Sequence, residues 1–370
     1  MIYAYPILPV LLAAVLSMIC GFVAMPLILR FCIKHKVYDE PNARKVHHNN
    51  IPRLGGVAFL PSMVLSCLIT LTTFNSLCLD HTVSLNLWAC IFFLGLIIIY
   101  VTGLIDDVVG LRASVKFIIQ LLVVSCLPFC YLYFNDLYGF LGFHQLPFWL
   151  GAFVTVFFLV YTINAMNLID GIDGLCSSLS LIALGGFCIL FYRVHFYTYT
   201  TIIAGMMGVL VPYTYYNLFG NEKENKKIFM GDAGSTTLGF LLGVLVVKYS
   251  MVTPLFPIDV ANHLIVALSM IAVPLLDVAR VILVRIHHHE GIFNPDKNHI
   301  HHKLLRAGLT QHQALLVILA AALTIIGGNL LMQNWIGTTW IAAINILFYL
   351  SFNIVINYFI KRRGNKIYVL

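Results

Sequence analysis

Two carboxamides and two carboxylates stand at regular intervals where a long apolar run of the chain ends. In the stretch NAMNLIDGIDGL, residues 164–175, these are Asn164, Asn167, Asp170 and Asp173. Residues three apart are neighbours on a helix surface, so adjacent members of this series share a face. Amide and carboxylate oxygens suit a hard cation such as Mg²⁺. The stretch therefore predicts a cation site at the mouth of a membrane helix.

A second polar segment, GLIDDVVGLRASVK, directly follows another apolar run. Its Asp106 and Asp107 are adjacent, and neighbours on a helix point about 100° apart. Both cannot serve one small ligand equally, so one is expected to face a site while the other braces a neighbouring helix or a basic group. Lys116 lies near the start of the next apolar run and could face the same pocket. A plain helix end with an N-cap pair is the alternative.

A third segment, KKIFMGDAGSTTLGF, places Asp232 between small residues at the start of a further span. Asp232 and Ser235 could simply cap that helix. Alternatively, the small neighbours leave the carboxylate accessible, and the amides of a helix N-terminus favour phosphate. The segment is not a Walker A loop, because the Gly-Lys-Ser/Thr ending is missing. Phe229 could stack on a base or pack in the core.

Two further loops are rich in basic and imidazole groups. DEPNARKVHHNNIPRLGG contains Lys45 and Arg53 and is either an ordinary basic loop or a contact surface for an anionic lipid head group. DKNHIHHKLLRAGLT offers His299, His301 and His302 as donors to phosphates and sugar hydroxyls. A zinc site is less favoured, because no cysteine accompanies these histidines and the nearby acids have oxygen-rich neighbours.

The elements that must position these groups are membrane spans. The chain has 370 residues, of which 60% are hydrophobic and 10% charged, with a mean hydropathy of +0.92; a soluble domain carries about 25% charged residues. Apolar runs of about 20 residues recur throughout the chain. They predict an all-α polytopic bundle of about eleven transmembrane helices, in a single domain, 1–370. The predicted spans are 6–33, 54–75, 86–105, 113–134, 146–165, 175–192, 199–217, 234–250, 261–284, 313–331 and 337–360.

The distribution of charge predicts the orientation of this bundle. If the first polar loop is cytoplasmic, twenty of the twenty-two lysines and arginines lie inside and only Arg193 and Lys248 lie outside, as the positive-inside rule requires. The N-terminus is then outside, the C-terminus is cytoplasmic, and the net charge of +7 needs no nucleic-acid partner. The predicted catalytic cytoplasmic loops are 34–53, 105–116, 164–175, 218–235 and 285–312.

The five polar segments together resemble those of the polyprenyl-phosphate N-acetylhexosamine-1-phosphate transferases, of glycosyltransferase 4 type. Relatives of that family include the phospho-MurNAc-pentapeptide transferase of peptidoglycan synthesis. DEPNARKVHHNNIPRLGG, GLIDD, NAMNLIDGIDGL, FMGDAGS and DKNHIHHKLL occur in family order, so the resemblance covers nearly the whole chain. The HIHH form is more similar to the GlcNAc-1-phosphate branch than to the peptidoglycan branch, whose loop usually carries three consecutive histidines.

The resemblance implies a role for each of these polar residues. Asp232 would be the principal ligand of Mg²⁺, with Mn²⁺ as the alternative ion, and Asn167 would lie beside it. The implied catalytic residues are Asp106, Asp107, Asp170 and Asp232. The implied substrate-binding residues are Lys45, Arg53, Lys116, Asp173, Asn217, Phe229, His299, His301 and His302. The chain departs from the family at one point: Asp107 is followed by VVG, so the third aspartate of a DDxxD pattern is absent.

The implied reaction is transfer of GlcNAc-1-phosphate, or another N-acetylhexosamine-1-phosphate, from its UDP-sugar to undecaprenyl or another polyprenyl phosphate. UMP would be released at the cytoplasmic face of the inner (plasma) membrane, in the initiating step of a cell-envelope polysaccharide. Direct displacement is favoured, since a phosphate monoester is mostly a nucleophilic dianion at pH 7. A phosphorylated-aspartate intermediate stays open, as does assembly into a homodimer.

Two other classes of membrane protein are less favoured. A transporter or channel could use intramembrane acids and the pair Asp277 and Arg280 as an ion pathway, but the acids cluster at one face and no inverted repeat is apparent. A CDP-alcohol phosphotransferase would carry a DGxxAR…GxxxDxxxD signature, which is missing. Specificity like that of the phospho-MurNAc-pentapeptide transferase is the remaining alternative within the resembled family.

Overall fold

The computed structural model describes a helical bundle over residues 7–39, 51–77, 87–252, 262–289, 291 and 298–364. Ten helical segments in this part of the chain are long and apolar enough to cross a membrane, or up to eleven with a bent pair counted as one span. The prediction of an all-α polytopic membrane protein is therefore confirmed. The helices are α1 (Ile7–His35), α2 (Phe59–Leu77), α3 (Leu87–Val109), α4 (Ala113–Ser125), α5 (Phe148–Ile169), α6 (Leu175–Arg193), α7 (Tyr197–Phe219), α8 (Gly231–Ser250), α9 (His263–Ser269), α10 (Ala272–His287), α11 (Ile300–Arg306), α12 (Gln311–Met332) and α13 (Thr338–Arg362).

The predicted span 261–284 is broken in two. Its halves, α9 and α10, meet at an angle of 79° across Met270 and Ile271. Hydropathy measures only how apolar a run is, so it carries no signal for such a bend. The residues of α9 are mostly buried among other helices, and irregular backbone at membrane depth is tolerated where protein surrounds it.

The bundle is organised around α8. About 94% of the 18-residue apolar stretch of α8 is buried, against 28% for α1 and 22% for α13. The outward faces of α1 and α13 carry large exposed apolar side chains suited to lipid. Close approach is possible because α8 is rich in small residues: a Cβ at Gly239 would lie 2.7 Å from the Cα of Ile163 on α5. The N-terminus of α8, which carries Asp232, therefore lies at the centre of one end of the bundle.

Within the described residues, two pairs of short antiparallel strands lie between helices. Strands β1 (Tyr38–Asp39) and β2 (Ile51–Pro52) pair at the end where α1 finishes. Strands β3 (Asp136–Phe140) and β4 (Phe143–Gln145) pair between α4 and α5, where backbone atoms of β3 accept hydrogen bonds from the first residues of α13. The first strand pair leads directly into residues 53–58, which cover the N-terminus of α8.

Candidate active site

The end of α3, the first turn of α4 and the first turn of α8 meet at one ammonium group. Nζ of Lys116 lies 3.0 Å from Oδ2 of Asp106 and 2.8 Å from Oδ2 of Asp232. The two carboxylates also lie within hydrogen-bond reach of each other, and Oδ1 of Asp106 accepts from the backbone N–H of Leu111 at 2.7 Å. Two ionised carboxylates this close repel each other, so the ammonium between them offsets that repulsion.

Asp107 points away from this cluster and caps α8. Its Oδ1 accepts from the backbone N–H of Asp232 at 2.8 Å and its Oδ2 from that of Ala233 at 3.0 Å. Only 3% of Asp107 is exposed. The first N–H groups of a helix have no partner within it, and a negative charge there is favourable. The adjacent aspartates thus divide as expected, with Asp106 facing the cluster and Asp107 bracing another helix.

The side chain of Asp232 does not cap its own helix. No side-chain cap bond is present at Met230, the residue that precedes α8, because Asp107 supplies the acceptors from 125 residues away in sequence. Ser235 instead donates to the carbonyl of Gly231 at 3.1 Å. The carboxylate of Asp232 is therefore left to face Lys116 and the mouth of the site.

The end of α5 approaches α8 through Asn167. Nδ2 of Asn167 donates to Oγ of Ser235 at 2.9 Å, which orients the amide oxygen as the atom left for a ligand. Asn164, one turn earlier, donates to Oε1 of Gln120 on α4 at 2.7 Å. Asp170 is half-buried at the C-terminus of α5. The predicted polar stripe therefore contacts two different helices and ends at the site.

The residues after α5 are held by a buried amide and an ion pair. Oδ1 of Asn217 accepts from the N–H of Gly174 at 2.6 Å, and its Nδ2 donates to the carbonyl of Ile228 at 2.8 Å. Asp173 lies 2.7 Å from Nζ of Lys227. Burial opposes the charge of Lys227, but Asp173 and the nearby Glu222 outweigh it and raise the pKa of Lys227.

Phe229 is held by its backbone against the first polar loop. Its N–H donates to the carbonyl of Pro52 at 2.7 Å, and its carbonyl accepts from Gly55 at 2.9 Å, while its ring is half-buried. Arg53, next in sequence to Pro52, is half-buried and interacts electrostatically with Asp107. Lys45 lies outside the described residues.

The histidine motif lies against the loop that follows α5. A Cβ at Gly171 would overlap the imidazole ring of His301, so only glycine allows this close approach. His301 is 1% exposed, and its Nδ1 has no hydrogen-bond partner among the described residues. Burial, with the neighbouring charge of His302, lowers the pKa of His301 well below its usual value. His299 is also buried, and its Nδ1 lies 2.8 Å from Oδ2 of Asp277.

The oxygen donors at this site fit a hard divalent cation. Mg²⁺ is usually bound by one or two carboxylates and keeps several waters; Asp232 and Asp106 are carboxylates, and Asn167 offers an amide oxygen. Lys116 marks a place where positive charge is favourable. Within the described ranges, no group of three or more histidine, cysteine, aspartate or glutamate side chains is arranged to hold a metal.

The geometry brings together four of the predicted residues and adds some that sequence reasoning missed. Asp106, Lys116, Asn167 and Asp232 converge, but the catalytic and binding roles remain predictions. Neither Lys227 nor Gln120 was predicted. The segment KENKK gives no reason to select one lysine, and Gln120 lies in an apolar run where no motif marks it. Asp277 and Arg280 had been considered only for an ion pathway.

These features define a membrane-embedded transferase of the glycosyl transferase family 4 class, whose family profile matches residues 89–250, from α3 to α8. A probable undecaprenyl-phosphate N-acetylglucosaminyl 1-phosphate transferase from Bacillus subtilis (strain 168) is 32% identical over 319 residues, 84% of this chain and 81% of the relative. An undecaprenyl-phosphate alpha-N-acetylglucosaminyl 1-phosphate transferase from Yersinia pestis is 32% identical over 340 residues, 90% of this chain and 86% of the relative. The protein of the same name from Escherichia coli (strain K12) is 31% identical over 331 residues, 88% and 83% of the two chains. The chain belongs to the undecaprenyl-phosphate N-acetylglucosaminyl 1-phosphate transferase family.

The capping role of Asp107 can be tested by its effect on stability. Asp107→Asn keeps one acceptor oxygen but turns an amide N–H₂ toward a backbone N–H, so we expect a loss of about 1–3 kcal/mol. Glu224→Gln is the matched control, because it makes the same carboxylate-to-amide change at an exposed loop residue and should leave stability nearly unchanged. Thermal unfolding in detergent measures both. Equal losses in the two variants would contradict the cap.

Lys303 on α11 gives a prediction for pH dependence. Burial, together with the charge of Arg280, lowers the pKa of Lys303 to about 7, although Asp277 opposes this and Arg306 adds to it. Between this value and the ordinary 10.5, the unfolded chain binds the proton and the folded chain does not, so stability rises with pH. Raising the pH from 7 to 9 should therefore stabilise the wild type relative to Lys303→Met, by at most about 1.4 kcal/mol per pH unit. A constant difference between the two melting temperatures would contradict the shift.

Proposed function

We propose that this protein transfers GlcNAc-1-phosphate from UDP-GlcNAc to undecaprenyl phosphate and releases UMP. The observation that carries the proposal is the cluster of Asp106, Lys116 and Asp232 at the ends of three spans, in a chain whose relatives are named for this acceptor and this transferred group. A transporter or channel is not favoured, since the relatives are transferases and these groups meet at one end of the bundle.

The position of the cluster suits a reaction between a lipid and a water-soluble nucleotide sugar. The acceptor dissolves in the bilayer and the donor in the cytosol, so their phosphates can meet only at the membrane edge. Carboxylates and an ammonium at helix ends lie at such an edge. The distribution of lysine and arginine supports a cytoplasmic site, an outside N-terminus and a cytoplasmic C-terminus.

The main obstacle to this reaction is repulsion between two anionic substrates. Asp232 and Asn167 would hold Mg²⁺, or Mn²⁺, which supplies positive charge to a diphosphate when bound. Lys116 carries a second positive charge beside them, and its three N–H donors suit phosphate oxygens. His301 presents a buried ring nitrogen whose missing partner a sugar or phosphate oxygen could supply.

Direct displacement fits the surroundings of the aspartates. An oxygen of the lipid phosphate attacks the sugar-linked phosphorus, the bond from that phosphorus to the UMP oxygen breaks, and UMP leaves with the electron pair. A covalent aspartyl-phosphate would require one of the carboxylates to turn from its present hydrogen bonds and attack the phosphorus. Both oxygens of Asp107 already accept backbone N–H groups, and those of Asp106 accept from Leu111 and Lys116. We therefore assign Asp106 to orienting Lys116 and the lipid phosphate.

The nucleoside would lie between Phe229 and Asp173. Phe229 presents a half-buried ring on a backbone held from both sides, as a stacking platform for uracil requires. Asn217 is 3% exposed and bonds to the backbone of Gly174 and of Ile228. It would therefore shape the nucleoside pocket, rather than contact the base directly.

The decisive test follows radiolabel from UDP-GlcNAc into organic-extractable lipid. Wild type with undecaprenyl phosphate and Mg²⁺ should form labelled lipid, and a panel of UDP-sugars should show which N-acetylhexosamine is preferred. Asp232→Asn should lower turnover by at least about 10²-fold, because it removes the carboxylate that would hold the divalent cation and that pairs with Lys116. Asp136→Asn, the same substitution on β3 away from the cluster, is the control. Absence of labelled lipid from wild type with every UDP-sugar would overturn the proposed function.

Lys116 should matter for chemistry through its charge. Lys116→Met is expected to lower kcat/KM for UDP-GlcNAc about 10²-fold or more, since one phosphate-facing cation is lost. Lys248→Met removes a lysine from the opposite end of α8 and should leave kcat/KM within about two-fold. Steady-state kinetics of the two variants measure this contrast. Comparable losses in both would remove Lys116 from the site.

A further inference from the structure

A buried aspartate ties three helices together behind the histidine motif. Asp277 on α10 is fully buried. Its Oδ2 lies 2.8 Å from Nδ1 of His299, and its Oδ1 accepts from the N–H of Ile300 and the hydroxyl of Tyr349, each at 3.0 Å. Arg280 lies 3.1 Å from the same Oδ1. The N-terminus of α11 is thus fixed to α10 and, through Tyr349, to the last span α13.

A direct hydrogen bond joins α11 to α13 one turn further on. Nζ of Lys303 donates to Oδ1 of Asn353 at 2.8 Å, and Nδ2 of Asn353 donates to the carbonyl of Tyr349 at 3.0 Å. Tyr349 and Asn353 are four residues apart, so they share one face of α13. They are 2% and 4% exposed. On that face, Asn353 bonds to α11 directly and Tyr349 bonds to Asp277, which in turn accepts from the N–H of Ile300 at the start of α11.

Apolar packing of α13 against its neighbours would not by itself require these polar contacts. A helix of seven residues is too short to be stable by itself, so α11 depends on its neighbours for its position. Most of α13 faces outward, where apolar side chains suffice. A buried polar group is costly unless it is hydrogen-bonded, so the amide of Asn353 on Lys303, and the hydroxyl of Tyr349 on the Asp277 that also binds α11, specify one arrangement of α11 and α13.

The arrangement sets where the histidines lie. His301 sits between the two anchored residues of α11, and its ring packs on Gly171 in the loop of the candidate active site. We propose that Tyr349 and Asn353 are positioning residues, which hold α11 so that His301 stays against the Gly171 turn. The positioning itself does not depend on the proposed function; only its effect on turnover rests on that function. It assigns the last span, which lies beyond residues 89–250, a part in the reaction.

Hydrogen exchange tests the positioning without reference to activity. Tyr349→Phe and Asn353→Leu should raise the exchange of backbone amides in 298–306 and 170–174 several-fold, measured on the purified full chain in lipid nanodiscs. Asn345→Leu is the matched control, a buried asparagine one turn before Tyr349, and should leave both segments unchanged. Unchanged exchange in the first two variants, or an equal rise in the control, would overturn the proposal.

Kinetics then test whether the two residues act through His301. Tyr349→Phe should lower kcat about 3- to 10-fold with KM for UDP-GlcNAc within about two-fold, because contacts made in the transition state are lost. In a His301→Ala background the same substitution should cause little further loss, since residues that act as a unit are not additive. Full additivity would refute positioning through His301. Failure of wild type to form lipid product would instead count against the proposed function, and the exchange result would still decide whether α13 holds α11.

A double substitution distinguishes loss of positioning from simple loss of stability, because it removes both partners of the bond between Lys303 and Asn353. Asn353→Leu leaves the ammonium of Lys303 buried without its acceptor, whereas Lys303→Met with Asn353→Leu replaces both partners by apolar groups, which can be nearly neutral for stability. The double variant should therefore recover the melting temperature of wild type but keep the faster exchange in 170–174. Recovery of slow exchange along with stability would show that the bond does not position the loop.

Discussion

The ammonium of Lys116 between Asp106 and Asp232 is the interaction on which the arrangement of the site depends. Charged groups at the edge of a lipid bilayer are expensive unless they are paired or face water, and two neighbouring carboxylates are more so. Their neutralisation requires the end of α3 and the beginnings of α4 and α8 to lie at one level and in contact. Asp107 secures the same meeting from the other side, because its carboxylate binds the backbone that begins α8.

The burial of α8 follows from this requirement. A helix that presents Asp232 to the centre of the site has to be surrounded by the helices that supply the other groups. Accordingly, 94% of the apolar stretch of α8 is buried. Small residues at its N-terminal half let α3 and α5 approach closely, so that Asn167 reaches Ser235. The outer helices α1 and α13 face mostly away from the bundle, so apolar side chains suffice over most of their surface.

The sequence predicted what depends on local pattern and missed what depends on distant partners. Hydropathy located the spans, and the angle between helix neighbours predicted that Asp106 and Asp107 would separate in role. Which of them caps which helix could not be predicted, because the capped backbone at Asp232 is 125 residues away. The bend between α9 and α10 has no hydropathy signal. Asp277 suggested an ion pathway, since nothing local showed that Tyr349 and His299 would surround it.

The loop after α5 joins two separately stabilised halves of the site. On one side Asn167 contacts α8, which the pairing of Asp106, Lys116 and Asp232 holds in place. On the other side Gly171 contacts His301, whose helix α11 is held by the hydrogen bonds around the buried Asp277. This loop therefore links the oxygen donors proposed to hold the metal to the imidazole ring of His301. The segment from Asn164 to Asp173, which carries two carboxamides and two carboxylates at the end of an apolar helix, thus connects the two halves of the site.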